Sequence, residues 1–327
     1  MNKRERLEKT ISGEPVDRVA VALWRHFPGD DQRAADFAEA TVFFQKIYDW
    51  DFVKVTPSSS FSVTDYGVQD RWVGSLEGTR EYTQRAVERS LDWTMLKVLD
   101  PERGALGRQL QMLALLKEAF GEDVPYIQTI FSPLSQAKNI AGDELLLRHI
   151  RTAPDRVHTG LRILTENTLR FMDAMRKSGV SGIFYAIQHA SYDVLSEAEY
   201  REFGRPYDLE ILEASRRWWF NMVHLHGTFP MFDAVADFPV QAINWHDQEE
   251  GAPDLAIGKS KFGGAVSGGL GRWFVHHSTP IEIRDQARKA IQMTNGRRFI
   301  LSTGCVVMVT TPLSNLRAVR DAAEEKP

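Results

Sequence analysis

The chain has 327 residues, a formal net charge of −4, 26% charged and 43% hydrophobic residues, and a single cysteine. Its length fits one large α/β barrel or two average domains, its mild charge argues against a non-specific nucleic-acid binder, and no apolar run is long enough to span a membrane. One cysteine excludes an internal disulfide framework, and the charged start Met1-Asn2-Lys3-Arg4-Glu5-Arg6 has no signal-peptide core, so a cytoplasmic protein, monomeric or homodimeric, is expected.

Residues 2–12 read as a helix closed by Gly13, and Pro15-Val16-Asp17-Arg18 leads into a first apolar run, 19–24, that ends at Arg25-His26. Over 31–49 the spacing is helical, with Ala35, Ala38, Val42, Phe43 and Ile47 on one face. A second strand, 52–56, stops at Pro57. Residues 58–99, with Asp70-Arg71-Trp72, read as a long irregular connection that acts as a lid, because loops of that length in compact domains are usually functional. There follow a helix over 106–120, a strand over 125–131, helices over 133–142 and 154–177, and a strand over 182–187. Ser196 and Glu199 have capping-box spacing at the start of a helix over 196–216. The fifth strand is expected over 218–223, the sixth over 241–245, the seventh over 261–266 and the eighth over 298–303. Short helices or loops fill the gaps: a helix over 229–236, His276-His277 in a loop, and helices over 280–294 and 312–324.

Eight apolar runs separated mainly by helical segments indicate parallel βα units and a (β/α)8 barrel. A doubly wound sheet would show a glycine-rich phosphate turn after its first strand, where this chain has Trp24-Arg25-His26-Phe27. The expectation is one domain over 1–327, with an N-terminal helix and a long insertion after the second strand.

In such barrels the chemistry sits where strands end. The ends here carry Arg25, His26, Lys54, Gln128, Tyr185, Gln188, His189, His224, His226, His246 and Cys305. Side chains alternate along a strand, so His224 and His226 share a face and form half of a possible metal site. Cys305, just past the eighth strand, would add a thiolate and leave a fourth position open on Zn2+, the pattern of a catalytic site. Strands five and eight are not neighbours, so the turn after Thr303 must lean inward. The plainer reading is two interior histidines in a polar network and a cysteine acting as a small buried hydrophobe. Arg25, Lys54, Gln128 and His189, from four strand ends, would ring a substrate cavity walled by Trp24, Phe131, Tyr185 and Trp245. That set suits a small, partly aromatic substrate with one acidic group. Against this, Arg25 and Lys54 can instead pair with loop carboxylates such as Asp30 and Asp65, and His189 and His246 can be structural.

Pro15-Val16-Asp17-Arg18 with the following strand and Arg25, and Val194-Leu195-Ser196-x-x-x-Tyr200-x-x-Phe203-x-x-Pro206-Tyr207, resemble uroporphyrinogen decarboxylases. The end, Ile300-Leu301-Ser302-Thr303-Gly304-Cys305 and Thr311-Pro312-Leu313-Ser314-Asn315-Leu316, looks more like the corrinoid-dependent methyltransferase branch of that superfamily. The resemblance implies a (β/α)8 barrel with its site at the carboxyl ends of the strands. Several decarboxylase groups are replaced. The second arginine is missing from His26-Phe27-Pro28-Gly29-Asp30, Ser58 stands near the essential aspartate's place, Asn139 matches the active-site tyrosine, and Cys305 matches the histidine after the last strand. The methyltransferase branch holds zinc with His-x-Cys on strand five and a distant Cys after strand eight. This chain offers His224, His226 and Cys305 there, with the middle cysteine become histidine. The resemblance thus implies zinc-assisted methyl transfer between a corrinoid on a separate partner protein and a thiol or similar acceptor. A decarboxylase-like lyase acting on a tetrapyrrole or smaller acid, and a non-catalytic metal or tetrapyrrole carrier, stay open as alternatives.

Overall fold

The structure, a computed structural model, describes residues 1–324. The chain runs α1 (Lys3–Ser12), β1 (Ala20–Val21), α2 (Ala34–Tyr48), β2 (Val53–Val55), hairpin strands β3 (Gln69–Arg71) and β4 (Glu81–Gln84), α3 (Gly104–Phe120), β5 (Tyr126–Phe131), α4 (Pro133–Ala141), α5 (Asp143–Thr152) and α6 (Pro154–Ala174). It continues with β6 (Gly182–Ile187), α7 (Glu197–Phe203), α8 (Arg205–Ser215), β7 (Met222–Leu225), β8 (Ala242–Trp245), α9 (Leu255–Lys261), β9 (Ala265–Leu270), α10 (Arg272–His277), α11 (Pro280–Thr294), β10 (Phe299–Thr303) and α12 (Leu313–Ala322). Eight strands form one parallel sheet in the order β1-β10-β9-β8-β7-β6-β5-β2, curled into a (β/α)8 barrel with helices outside. Every residue of these eight strands is buried, as expected where both sheet faces are covered.

The seam of the barrel lies between β1 and β2, the two ends of the ladder. Asp51 joins them. Its N–H donates to Val21 O at 2.9 Å, and its Oδ2 accepts from Val21 N–H at 2.8 Å. The same carboxylate takes two bonds from the Arg18 guanidinium at 2.7 and 3.0 Å and one from Arg6 at 2.8 Å. Arg6 also grips Asp17 through Nε and Nη2 at 2.8 and 2.7 Å. The Pro15-Val16-Asp17-Arg18 motif therefore ties α1, β1 and the start of β2 into one fully satisfied ion cluster.

The long connection after β2 contains the β3–β4 hairpin and is fastened to the barrel. Asn139 donates to Ser59 O at 3.0 Å, Val309 N–H to Leu76 O at 2.7 Å, and Arg272 pairs with Glu77 at 2.8 Å. The anticipated lid is thus present. Asp65, expected beside Lys54 or Arg25, instead caps α3 from outside, accepting the Ala105 N–H at 2.8 Å.

Several elements depart from the expected bounds. The helix anticipated over 196–216 begins with the capping box of Ser196 and Glu199 but breaks at Gly204, and Pro206 starts α8. Helices α5, α9 and α10 were not anticipated. The signal at α9 is Asp254, whose carboxylate accepts the Ile257 N–H at 2.8 Å, so Lys261 ends a helix and the seventh strand starts at Ala265. His276 and His277 close α10 rather than sit in a loop. On α2 the buried stripe is Phe37, Ala38, Thr41, Gln45 and Tyr48, leaving Phe43 65% exposed. Hydrophobic periodicity misses that face because two of its members are polar residues that fold back on the backbone: Thr41 donates to Phe37 O and Gln45 to Trp50 O.

Asp51 is fully enclosed, so removing it takes from two buried guanidinium groups the carboxylate they share. Asp51→Ala is expected to lower the unfolding free energy by about 3–5 kcal/mol, measured by urea denaturation. Arg6 holds the Asp17 carboxyl well below its ordinary value, chiefly through their hydrogen bond. A depressed carboxyl contributes stability above its unfolded pKa and loses it as pH falls through the folded one. Asp17→Asn should therefore cost stability at pH 7 and progressively less in strong acid; an equal deficit across that range contradicts the assignment.

Candidate metal centre and its chamber

Strand β7 carries His224 inside the barrel. The fifth strand begins at Met222 rather than Trp218, because Asn221 turns the chain into it: its Nδ2 donates to Ser215 O and Trp218 O while its Oδ1 accepts the Ile183 N–H. His226 lies one residue past β7 and donates its N–H to Ile187 O at 3.0 Å. Leu225 is level with Trp245 in the parallel ladder, so the next residue on each strand, His226 and His246, emerges at the same height. The rings of His226 and His246 lie 4.9 Å apart, and that of His224 lies 5.8 and 5.7 Å from them. The chain after β10 then leans inward, as the geometry of non-adjacent strands required. Gly304 permits it: a Cβ there would stand 2.7 Å from His246 Cα and 2.8 Å from Trp245 O. Cys305 Sγ is consequently 3.7 Å from His226 Nδ1. One ligating atom from each of His224, His226, His246 and Cys305 lies within 4.8 Å of the others.

The tautomer of His224 follows from its neighbour. Asn244 donates its amide N–H groups to Ser267 O at 3.0 Å and Thr303 O at 3.1 Å, which turns Oδ1 toward His224 Nδ1 at 2.7 Å. Nδ1 must therefore carry the proton, leaving the Nε2 lone pair free to bind. The donor set fits a zinc ion: soft thiolate and imidazoles gathered at one point. His246 Nε2 is buried without a hydrogen-bond partner among the described residues, which is what an uncoordinated ligand looks like.

Electrostatics agree with that reading. Burial first, and then the neighbouring imidazoles, pull His224 and His226 well below the ordinary histidine value. Burial lowers His246 to about 4. All three rings are neutral at pH 7 and ready to donate lone pairs. Burial pushes the Cys305 thiol upward, so it keeps its proton until something positive takes its place. Lys54 projects into the same chamber, its Nζ 4.7 Å from the centre of the Phe184 ring. Its ammonium has no hydrogen-bond or ion-pair partner among the described residues, and burial brings it down to about 7.

The chamber holds about 80 Å³ and is walled by Trp24, Thr129, Phe131, Phe184 and Gln188, with Glu77 and Thr79 of the lid above. A water molecule fills about 30 Å³ of liquid, so the space accepts a group of a few heavy atoms. Drug-sized ligands occupy several-fold more.

Of the residues expected here, His224, His226, Cys305, Lys54, Gln188, Trp24 and Phe131 face the chamber, and His246 lies in the candidate donor group rather than on the chamber wall. Six expectations are corrected. Gln128 is one residue out of phase: it accepts from Gln109 of α3 at 2.8 Å, while Thr129 faces inward. Tyr185 donates to Asp208 of α8 at 2.7 Å, and its neighbour Phe184 takes the inner face. Trp245 likewise points to the helix layer and donates to Pro253 O. Arg25 turns outward, its Nη1 donating to Val309 O at 2.9 Å. His189 is buried behind the wall, and neither ring nitrogen has a hydrogen-bond partner among the described residues. Its Nε2 lies 3.8 Å from a carboxylate oxygen of Asp143. Asn139 fastens the lid rather than touching the chamber. The groups missed by sequence reasoning are His246 as a metal donor, Asn244 and Glu77. A histidine ending each of two successive strands was the available signal for the first.

Comparison with known proteins gives one consistent answer. Residues 2–326 match the family model described as uroporphyrinogen decarboxylase (URO-D). Among curated proteins, the chain is 21% identical to the methylcobamide:CoM methyltransferase MtbA of Methanosarcina acetivorans, over 98% of this chain and 97% of that one. Identity to MtbA of Methanosarcina mazei is 23%, with the same coverage. Among solved structures, a methyltransferase from Methanosarcina mazei superposes with a TM-score of 0.87 at 19% identity, covering 99% of this chain and 98% of the other. A B12-independent methionine synthase from Shewanella sp. W3-18-1 has the same general fold, with a TM-score of 0.59 at 13% identity.

Cys305 is the chain's sole thiol, so thiol labelling reports on it alone. Gly304→Ala is expected to push the Cys305 turn away from His246 and speed labelling by about tenfold over the enclosed wild-type thiol. Unchanged labelling would show that the close approach at Gly304 does not position the cysteine.

Proposed function

On the premise that the chain belongs to the uroporphyrinogen decarboxylase (URO-D) family, we propose that it is a zinc-dependent methyltransferase working between a corrinoid held by a separate protein and a small thiol or similar acceptor. The observation that carries this reading is the convergence of His224, His226, His246 and Cys305 within 4.8 Å in a chamber of about 80 Å³. The names of the full-length relatives, methylcobamide:CoM methyltransferases, support the reaction class. The size of the chamber speaks against a tetrapyrrole substrate, and Arg25, which would grip its carboxylates, faces away.

His224, His226 and Cys305 would hold the ion, with His246 the fourth donor in reach. Zinc supplies Lewis acidity that lowers the pKa of a bound thiol and so makes it available as a nucleophile near neutral pH. The chain's own residues do the rest. Asn244 keeps His224 in the binding tautomer. Cys305 contributes the set's single negative charge, since the imidazoles are neutral; a shell with two thiolates would be one charge more negative. Lys54 places an unpartnered buried amine, brought by burial to about 7, beside the metal donors, and an acidic group on the acceptor would favour its charged form. The lid, closed by Glu77 and Arg272, keeps bulk water out.

Freshly purified protein is expected to carry about one equivalent of zinc. His226→Ala and Cys305→Ala should abolish both zinc and the demethylation of methylcobalamin by a panel of small thiols. Less than a tenth of an equivalent of any transition metal after zinc reconstitution sinks the assignment. Loading the metal-free protein at pH 7 should release about one proton, from Cys305, because the three histidines are already neutral; calorimetry in buffers of different ionisation enthalpy reads this. Release of three would mean that the histidines are charged in the free protein. Lys54→Met should keep its zinc and raise KM for an acidic thiol by about tenfold, the loss of one charge-assisted hydrogen bond. An unchanged KM would show that the acidic group lies elsewhere.

A further inference from the structure

Arg25 and Trp24 are adjacent in sequence but open onto different spaces. Trp24 walls the metal chamber, whereas Arg25 sits at the end of an outer groove of about 410 Å³ between α2 and α12. That volume falls in the range of small-molecule sites. The groove is aromatic and aliphatic, with Phe27, Phe43, Phe44, Ile47, Tyr48 and Leu313 along it. Phe43 and Leu313 are 65% and 67% exposed, an unusual setting for two large apolar side chains facing one cleft.

The polar groups in this groove are incompletely used. Arg25 spends Nη1 on Val309 O at 2.9 Å, its Nε is enclosed without a partner, and Nη2 has none among the described residues. The guanidinium carbon lies 5.0 Å from the centre of the Phe27 ring and 5.6 Å from that of Phe44, two rings that meet edge to face at 5.9 Å. Tyr48 is only 2% exposed, yet its hydroxyl also lacks a hydrogen-bond partner. A buried phenol and an underused guanidinium are two donors without acceptors, which the interiors of proteins rarely leave so.

We propose that this groove is a second binding site, for an amphiphilic monocarboxylic acid. The carboxylate accepts from Arg25 and Tyr48, and the hydrocarbon or aryl part lies on the aromatic wall. A planar carboxylate matches a guanidinium edge. Asp30, Asp36 and Glu39 line the opening, so a second anionic group on the ligand would meet repulsion there. The site therefore selects one negative charge joined to an apolar body. It is independent of the metal centre and of the reaction proposed for it.

Octanoate and 1-octanol, titrated into the intact protein by calorimetry, test this. Trp50 gives a second signal, because its ring stacks on Tyr48 at 5.3 Å. Saturable one-site binding of octanoate is expected, with 1-octanol weaker by about tenfold, the worth of a charge-assisted hydrogen bond. Arg25→Met should lose the same factor, and Cys305→Ala should bind as the wild type does. No saturable binding at millimolar octanoate, or equal binding of the alcohol, overturns the proposal without recourse to any variant. So does loss of binding in Cys305→Ala, which would place the ligand in the chamber. If octanoate fails to bind and the protein instead forms a dimer that Phe43→Asp dissolves, the groove is a subunit interface and the proposal is wrong.

Discussion

The gathering of His224, His226, His246 and Cys305 depends on the curvature of one sheet. His224 and Cys305 belong to strands β7 and β10, with β8 and β9 between them, and a flat sheet would hold them two strands apart. Curling is maintained at a single weak place, the seam between β1 and β2, where no ladder runs. Asp51 substitutes for the missing ladder by exchanging two hydrogen bonds with Val21. Its charge is then matched by Arg6 and Arg18, so a fully buried carboxylate is left with no unsatisfied lone pair pointing into the core. The ion cluster therefore acts less as a source of stability in its own right than as the registry device that fixes where the sheet closes.

The fold was legible because parallel βα units repeat a strong signal: short apolar runs with helical spacing between them. Gly182–Ile187 and Pro280–Thr294 were found to the residue. What failed was phase. Gln128, Tyr185 and Trp245 were assigned to the cavity and lie on its outer wall, because a fully buried strand is apolar on both faces and carries no alternation to read. The polar residues on such strands are ambiguous, and partners on distant helices decide: Gln109 for Gln128, Asp208 for Tyr185. Where two identical polar residues sit two apart, as at His224 and His226, the phase is stated twice and the reading holds. Arg25 fell outside the period altogether, since β1 is ordered as a strand only over two residues and the chain beyond it is free to turn outward. The lid was anticipated from length alone, but its contact residue Glu77 depends on a hairpin register that no local signal specifies.

The chamber is electrostatically unfinished in a consistent way. Burial holds three imidazoles neutral and one thiol protonated, and it disfavours the charge of Lys54, whose amine has no counter-charge among the described residues. A structural polar network would satisfy all these groups; here His224 is committed to Asn244, a bond that orients the ring rather than neutralising it, and the other polar contact between their side chains is the long one of Cys305 with His226. Such an arrangement has no internal solution. The neutral donors and the thiol accept a cation by giving up one proton, and the lysine accepts an anion. On the proposed reading, a metal ion and an acidic group on the acceptor would complete the site from opposite signs. On the proposed reading a divalent ion would further disfavour the Lys54 ammonium, and an anion beside it would favour that charge again. The single thiol among the four gathered donors and the unpartnered amine of Lys54 on β2 would thus be balanced together, by a cation and an anion bound side by side.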